Sequence, residues 1–272
     1  MSAGAQTRTD APRRGRRVRR LEPSALGGIM TRELTMFGYY WRSNTFSSIV
    51  EPTVYLLAFG LGMGALLPRV AGFAYIEFIG TGIVAMTAMF STAFPAMFGT
   101  FVKRKFQHTY NAVLAAPVDT EEVVTGEALW LACKGGVYGM APLIVTMFFG
   151  LNPSWGMLAV PLIAFVTGFG WACAGIGLSA IVPSIDSFNY VVSAVITPLF
   201  LVAGTFFPID NMPPWAAVAS QFNPLFHTVQ LVRGAVFGLE GTNYLLHVGA
   251  LVLFGVLAWR LAIRAMERVL ID

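Results

Sequence analysis

Residues 135–185 read GGVYGMAPLIVTMFFGLNPSWGMLAVPLIAFVTGFGWACAGIGLSAIVPSI, a run of 51 residues from Gly135 to Ile185 without one Asp, Glu, Lys or Arg. About 20 apolar residues suffice for a helix to cross the roughly 30 Å hydrocarbon core of a bilayer. The run is therefore two crossings, and the turn cluster Gly150-Leu151-Asn152-Pro153-Ser154 divides it into a tight helical hairpin. A backbone in hydrocarbon must satisfy its own hydrogen bonds, which selects helices here. The expectation is an all-α polytopic membrane protein.

The rest of the chain repeats the pattern. Pro52–Pro68, Phe78–Val102, Ser187–Ile209 and Gly241–Trp259 are also free of charge. Six transmembrane helices are expected near 46–67, 76–101, 128–149, 156–181, 188–207 and 244–266. The composition agrees: of 272 residues 56% are hydrophobic and 12% charged, with a mean hydropathy of +0.67. Soluble domains carry about twice that charge, so a soluble enzyme, a disordered chain and a disulfide scaffold are excluded. Cys133 and Cys173 both fall in apolar runs and read as small buried hydrophobes.

The net charge is +4, and nine of the 18 Lys and Arg residues precede residue 43. Residues 1–20 are Arg-rich and almost without apolar groups, so they are expected to form a disordered basic cytoplasmic tail touching anionic lipid. This distribution is a topology signal and gives no reason to invoke nucleic acid. Residues 21–45 follow as an amphipathic interfacial helix, with Leu26, Met30, Leu34, Phe37 and Trp41 on one face and Arg32, Glu33 and Thr35 elsewhere. Residues 46–272 are then the transmembrane domain. Basic residues gather in the amino tail, at Lys103-Arg104-Lys105 and at Arg260, Arg264 and Arg268. The positive-inside rule therefore puts both termini and the even-numbered loops in the cytoplasm.

Two connections exceed what a link needs. On the cytoplasmic side Phe106–Ala116 can form a short helix stopped by Pro117, and Asp119 precedes Glu122 by three, a capping-box spacing ahead of the third span. On the outer side, Gly204–Asn243 is apolar yet broken by Pro and Gly, so it is expected to re-enter the outer leaflet between spans 5 and 6. Trp215 and Phe222 would sit there as interface anchors.

No catalytic constellation is legible. The chain has no phosphate-cradling loop ending in Lys-Ser or Lys-Thr, and no nucleophile elbow. His108, His227 and His247 lie in three different regions without carboxylates or cysteines at metal-ligand spacing. Glu51, Glu77 and Lys134 lie at span ends, where snorkelling is the ordinary explanation. Glu51, directly before Pro52, is the one expected to face protein or a polar pathway.

With these pieces placed, residues 24–272 resemble the permease subunits of type-2 ATP-binding-cassette exporters, most closely the lipooligosaccharide and nodulation-factor branch with related drug-export permeases. Four stretches carry the resemblance: Glu51–Gly62 in the first span; Thr109–Pro117 with Gly126–Trp130 in the coupling region; Gly204–Pro208 with Met212–Trp215 in the outer re-entrant segment; and Asn223–Leu225 with Val232–Gly234 before the last span. Where many relatives carry an acidic residue early in the coupling region, this chain has Lys103-Arg104-Lys105-Phe106-Gln107.

The resemblance implies a multi-pass protein of the bacterial cytoplasmic membrane. It implies a second permease copy, in a homodimer or a heterodimer, and two copies of a separate ABC ATPase subunit. ATP and Mg would be held by that ATPase, and no cofactor or metal by this chain. It points to Lys103, Arg104, Phe106, Thr109, Leu114, Pro117 and Glu121 for ATPase coupling. Gly204, Phe206, Phe207, Pro208, Pro213, Trp215, Asn223 and Pro224 would form the outer gate, with Glu51 as the intramembrane polar group. The exported molecule would be lipid-linked, an oligosaccharide or a hydrophobic drug-like compound. An ion-coupled carrier would need an ionisable residue near mid-span, and a lipid-modifying enzyme convergent polar side chains. Neither set can be assembled from the residues.

Overall fold

Helix forms wherever the sequence runs apolar and uncharged. The computed structural model describes residues 21–209, 212–238 and 243–270; the basic tail expected over residues 1–20 lies outside them. The first helix, α1 (Pro23–Gly64), is continuous over 42 residues, about 63 Å at 1.5 Å per residue. That is twice the thickness of a hydrocarbon core. The expected interfacial helix and first span are thus one rod. Pro52 lies inside it and is buried; Thr53 Oγ1 donates to the Ile49 carbonyl at 2.6 Å, supporting the backbone beside the proline.

A two-residue hairpin follows, β1 (Arg69–Val70) against β2 (Phe73–Ala74), pairing Arg69 with Ala74 and Val70 with Phe73. Ala71 (φ 52°) and Gly72 (φ 88°) make the turn, the pair of positive φ values that a type I′ hairpin requires. The hairpin feeds α2 (Tyr75–Phe94), whose start is capped by Glu77 accepting the Ala74 N–H at 3.2 Å. A π-helical turn at Pro95–Gly99 joins α2 to α3 (Thr100–Lys105).

The connection between α3 and the next long helix holds α4 (Thr109–Val113), shorter than the expected 106–116 because His108 takes a left-handed conformation (φ 49°) that ends the preceding turn. Then come α5 (Thr120–Tyr138) and α6 (Met140–Phe148), the turn at 149–154, a 3₁₀ turn at Trp155–Ala159 and α7 (Val160–Ile181). This is the hairpin anticipated from the charge-free run.

Beyond a 3₁₀ turn at Ile185–Ser187, the chain runs through α8 (Phe188–Val191), a π turn at Val192–Ile196 and α9 (Thr197–Leu201). The segment expected on the outer side contains α10 (Pro214–Ser220) and α11 (Pro224–Phe237) before the last helix, α12 (Tyr244–Leu270).

Among the described residues, five helices are long and apolar enough to cross a membrane: Pro23–Gly64, Tyr75–Lys105, Thr120–Phe148, Trp155–Ile181 and Tyr244–Leu270. The crossing expected at 188–207 is represented by the shorter apolar run Ile185–Leu201, interrupted by its π turn and ended at Leu201.

The core sits where α2, α5, α7 and α12 pack together. Close approach replaces hydrophobic driving force inside lipid, and Gly175 shows it: a Cβ there would lie 2.8 Å from the Ala93 carbonyl oxygen and 2.6 Å from Ala96 Cβ. Outward-facing apolar side chains such as Phe148, Leu158, Leu245 and Leu261 are exposed, as a lipid-facing surface requires.

Candidate functional site

Where α1, α3, α4 and α5 meet, two cations and two carboxylates interlock. Arg32 of α1 donates to Glu33 at 2.5 Å and to Glu127 Oε1 at 2.6 Å. Lys103 Nζ, at the end of α3, reaches Glu33 Oε1 at 2.7 Å and Glu127 Oε1 at 3.1 Å. Tyr110 of α4 donates its hydroxyl to Glu127 Oε2 at 2.8 Å. Burial first, and then the adjacent Glu127 carboxylate, push the Tyr110 phenol well above its ordinary range, so it stays a donor.

The cluster is formally neutral and ties α1, α3, α4 and α5 at one point. Buried charges persist only when paired in this way. Ile29 lies over Gly126, where a Cβ would come 2.8 Å from Ile29 Cγ2. The backbone N–H groups of Glu22 and Asp119 each donate at 2.9 Å to Glu122, whose Oε2 caps α5 as the spacing predicts.

This arrangement redistributes the residues expected for ATPase coupling. Lys103 is engaged inside the chain, and Arg104 donates to the Ser179 carbonyl at 2.6 Å, fastening α3 to α7. Leu114 is half-buried against the core, while Thr109 and Glu121 are partly exposed. Lys105, Phe106, Gln107, His108 and Pro117 are exposed, so the free surface begins just after the predicted basic pair.

The sequence reading leaves Arg32 and Glu33 off the apolar face of α1 and gives Glu127 no separate role. In the structure it is Arg32 and Glu33 that turn toward the protein, while Leu34, Met36, Tyr39 and Trp41 are exposed. A carboxylate at the very start of the third span, past the capping Glu122, was the available signal for Glu127.

At the opposite end the segment between α9 and α12, expected on the outer side, folds back on the helices. Ala203–Phe206 is buried, with Gly204 at φ 79° turning the chain. Phe206 packs on Phe59 of α1 and Phe200 of α9, at ring-centroid distances of 4.9 and 5.1 Å. A Cβ at Gly82 of α2 would lie 2.5 Å from the Thr205 carbonyl oxygen, so only glycine permits this approach.

Asn223 caps α11 by accepting the Leu225 N–H at 3.0 Å and donates to the Leu199 carbonyl at 2.6 Å. Pro224 occupies the first turn of α11. Phe207, Pro213 and Trp215 are exposed, and Pro208 is half-buried. The helix α11 is absent from the sequence reading, although Asn-Pro before an apolar run and Gly238 after it are its start and stop signals.

Two polar features of this outer region also escape the sequence reading. Arg233 of α11 is buried against Phe78, Thr81 and Thr205. His227 and His247, assigned to separate regions, meet with their Nδ1 atoms 2.8 Å apart. His227 Nε2 lies 2.9 Å from the Gln221 carbonyl. A carbonyl only accepts, so His227 carries a hydrogen on Nε2, and as a neutral imidazole it then accepts from His247 Nδ1–H.

Glu51 is exposed on α1, and among the described residues it has no hydrogen-bond or ionic partner. The chain itself does not cover it.

The family described as ABC-2 type transporter matches residues 26–237. The chain is 32% identical over 238 residues to Nodulation protein J of Sinorhizobium fredii strain NGR234, covering 85% of this chain and 90% of that protein. It is 31% identical over 233 residues to Nodulation protein J of Rhizobium leguminosarum bv. trifolii, covering 84% and 88%. The Inner membrane transport permease YadH of Escherichia coli K12 is 25% identical over 232 residues, covering 85% and 90%.

Proposed function

The chain belongs to the ABC-2 type transporter family, and from that premise we propose that it is the permease of an ATP-driven exporter working with a separate ATPase. Family membership makes it a multi-pass inner-membrane permease component of an ABC transporter, a transport subunit rather than an enzyme. Six crossings, with both termini cytoplasmic and 204–243 re-entering the outer leaflet, complete the reading. The basic clusters support the orientation.

The observation that carries this reading is the Arg32–Glu33–Lys103–Glu127–Tyr110 cluster. A push delivered at the exposed Lys105–His108 tip meets no soft joint. Lys103, two residues away, is ion-paired to α1 and α5, and Arg104 is bonded to α7. Closure of two ATP-loaded ATPase subunits would thereby tilt α1, α5 and α7 together. Thr109 and Leu114 would hold α4 in place, and Pro117 and Glu121 would bound its exit.

Two permease copies would face one another across α1, whose exposed Phe46, Ile49, Val50 and Val54 flank Glu51. Substrate would pass between the copies toward the outer segment. An amphiphile with a lipid-linked, oligosaccharide or drug-like character suits a path with apolar walls and isolated polar groups.

The test is affinity purification from solubilised membranes, followed by an assay for a co-purifying, vanadate-sensitive ATPase. A stoichiometric ATPase is expected. A clean preparation lacking one at native expression levels overturns the reading.

A further inference from the structure

Arg233 carries a fixed positive charge into the outer end of the helix packing and, among the described residues, meets no anion there. It is 7% exposed. Its acceptors are Thr81 Oγ1 at 3.4 Å from Nε, and the carbonyls of Phe78 and Thr205 at 3.4 and 3.3 Å from Nη2. All three exceed the usual 2.7–3.2 Å of a nitrogen donor. The remaining support is the Phe78 ring, whose centroid is 3.6 Å from the guanidinium carbon. No carboxylate pairs with Arg233 among the described residues.

A guanidinium offers five N–H donors and does not discharge at any physiological pH. Holding two carbonyls and a hydroxyl at long range would not require that charge. The neighbouring Thr205 hydroxyl is itself buried without a partner. Two donor-bearing groups thus stand side by side, short of acceptors, where α2, α11 and the outer segment meet.

We infer that Arg233, with Thr205, is a recognition point for an acidic group (phosphate, sulfate or carboxylate) on a membrane-embedded amphiphile. This deepens the permease reading and rests on it for the passage of such a molecule. The acidic oxygens replace the weak carbonyl contacts with charge-assisted bidentate bonds, and the Thr205 hydroxyl turns to donate to the same group. Apolar neighbours Phe78 and Phe206 accommodate the chain that carries it. The segment around Thr205 seals the site in the present state, and Gly204, the turning residue, is where it lifts to admit the group.

The test is equilibrium binding of radiolabelled dodecyl phosphate to the purified full-length permease in dodecyl maltoside micelles. Competition by phosphatidylglycerol and by inorganic phosphate separates a lipid source from a free anion. Loss of one charge-assisted pair corresponds to a drop in affinity of about tenfold. That drop is expected for Arg233→Gln. Arg233→Lys should retain part of the affinity, and Thr205→Val, which removes a hydroxyl that bonds nothing, should weaken binding several-fold without lowering thermal stability.

If all three variants bind as the wild type does, or Arg233→Gln lowers only the melting temperature, Arg233 is a structural pin and the inference fails. That result would leave a co-purifying ATPase, and so the permease reading, untouched. Intact binding without any ATPase partner would instead sink the permease reading alone.

Discussion

Tyr110 and Glu127 meet hydroxyl to carboxylate across 2.8 Å, suspending the short helix α4 from the long helix α5. The same carboxylate receives Arg32 from α1 and Lys103 from α3. One side chain therefore sets the relation of four helices, and its removal should be felt in all of them.

Glu127→Gln keeps the shape and removes one of two negative charges facing two cations. A loss of about 2 kcal/mol is expected in reversible unfolding of the solubilised protein, the scale of a buried hydrogen bond to a charged group. Lys103→Met combined with Glu127→Gln should cost less than the sum of the two, because removing both partners leaves no lone buried charge. Strict additivity in that double-mutant cycle would show the two residues to be independent.

The tip beyond this cluster should behave differently. Lys105→Glu and Phe106→Ala alter exposed side chains, where stability changes stay within about 0.5 kcal/mol. Both should reduce the ATPase retained on purification while leaving the melting temperature in place. Charge reversal at Lys103 or Arg104 should instead lower stability and coupling together. Equal loss of the ATPase in all four variants, with no change in stability, would restore Lys103 and Arg104 as direct contacts.

How much of this was legible follows from what is local. The α5–α7 hairpin and the cap on α5 depend on neighbours in the chain or on the absence of charge. The ion cluster pairs Arg32 with Glu127 and Glu33 with Lys103, residues 95 and 70 positions apart, and no local pattern encodes that. The continuity of α1 was masked by Pro52, a residue that ordinarily interrupts a helix. Helix α11 was hidden because the same prolines that suggest an irregular outer segment also serve as its first-turn residue.

Glu51 tests the face of α1 that this chain leaves open. Having no partner among the described residues, Glu51→Gln should express and melt as the wild type does. Transport in reconstituted vesicles should fall severalfold if the carboxylate lines the path or meets the second copy. Unchanged transport would make Glu51 a span-end residue of no consequence to passage.

The orientation is checked by single cysteines placed in a Cys133→Ser, Cys173→Ala background. Asn152→Cys, in the exposed turn between α6 and α7, should react with an impermeant maleimide applied to intact cells. Gln107→Cys should react only after the cells are opened. The reverse pattern would invert the topology.

Gly82 carries the last prediction. A Cβ there would press to 2.5 Å on the Thr205 carbonyl oxygen, and this neighbour is backbone rather than the end of a flexible side chain. Gly82→Ala must therefore move the outer segment away from α2 and stretch the Thr205 carbonyl from Arg233, already at 3.3 Å. Overpacking of this kind costs about 1–3 kcal/mol. The buried aromatic contact of Phe206 with Phe59 should loosen with it, since both residues of the segment move as one turn about Gly204. The expected phenotype is a lowered melting temperature together with uncoupled ATP turnover, read on the purified complex. A variant with wild-type stability and coupling would mean that the segment yields freely at this point and does not gate the outer end.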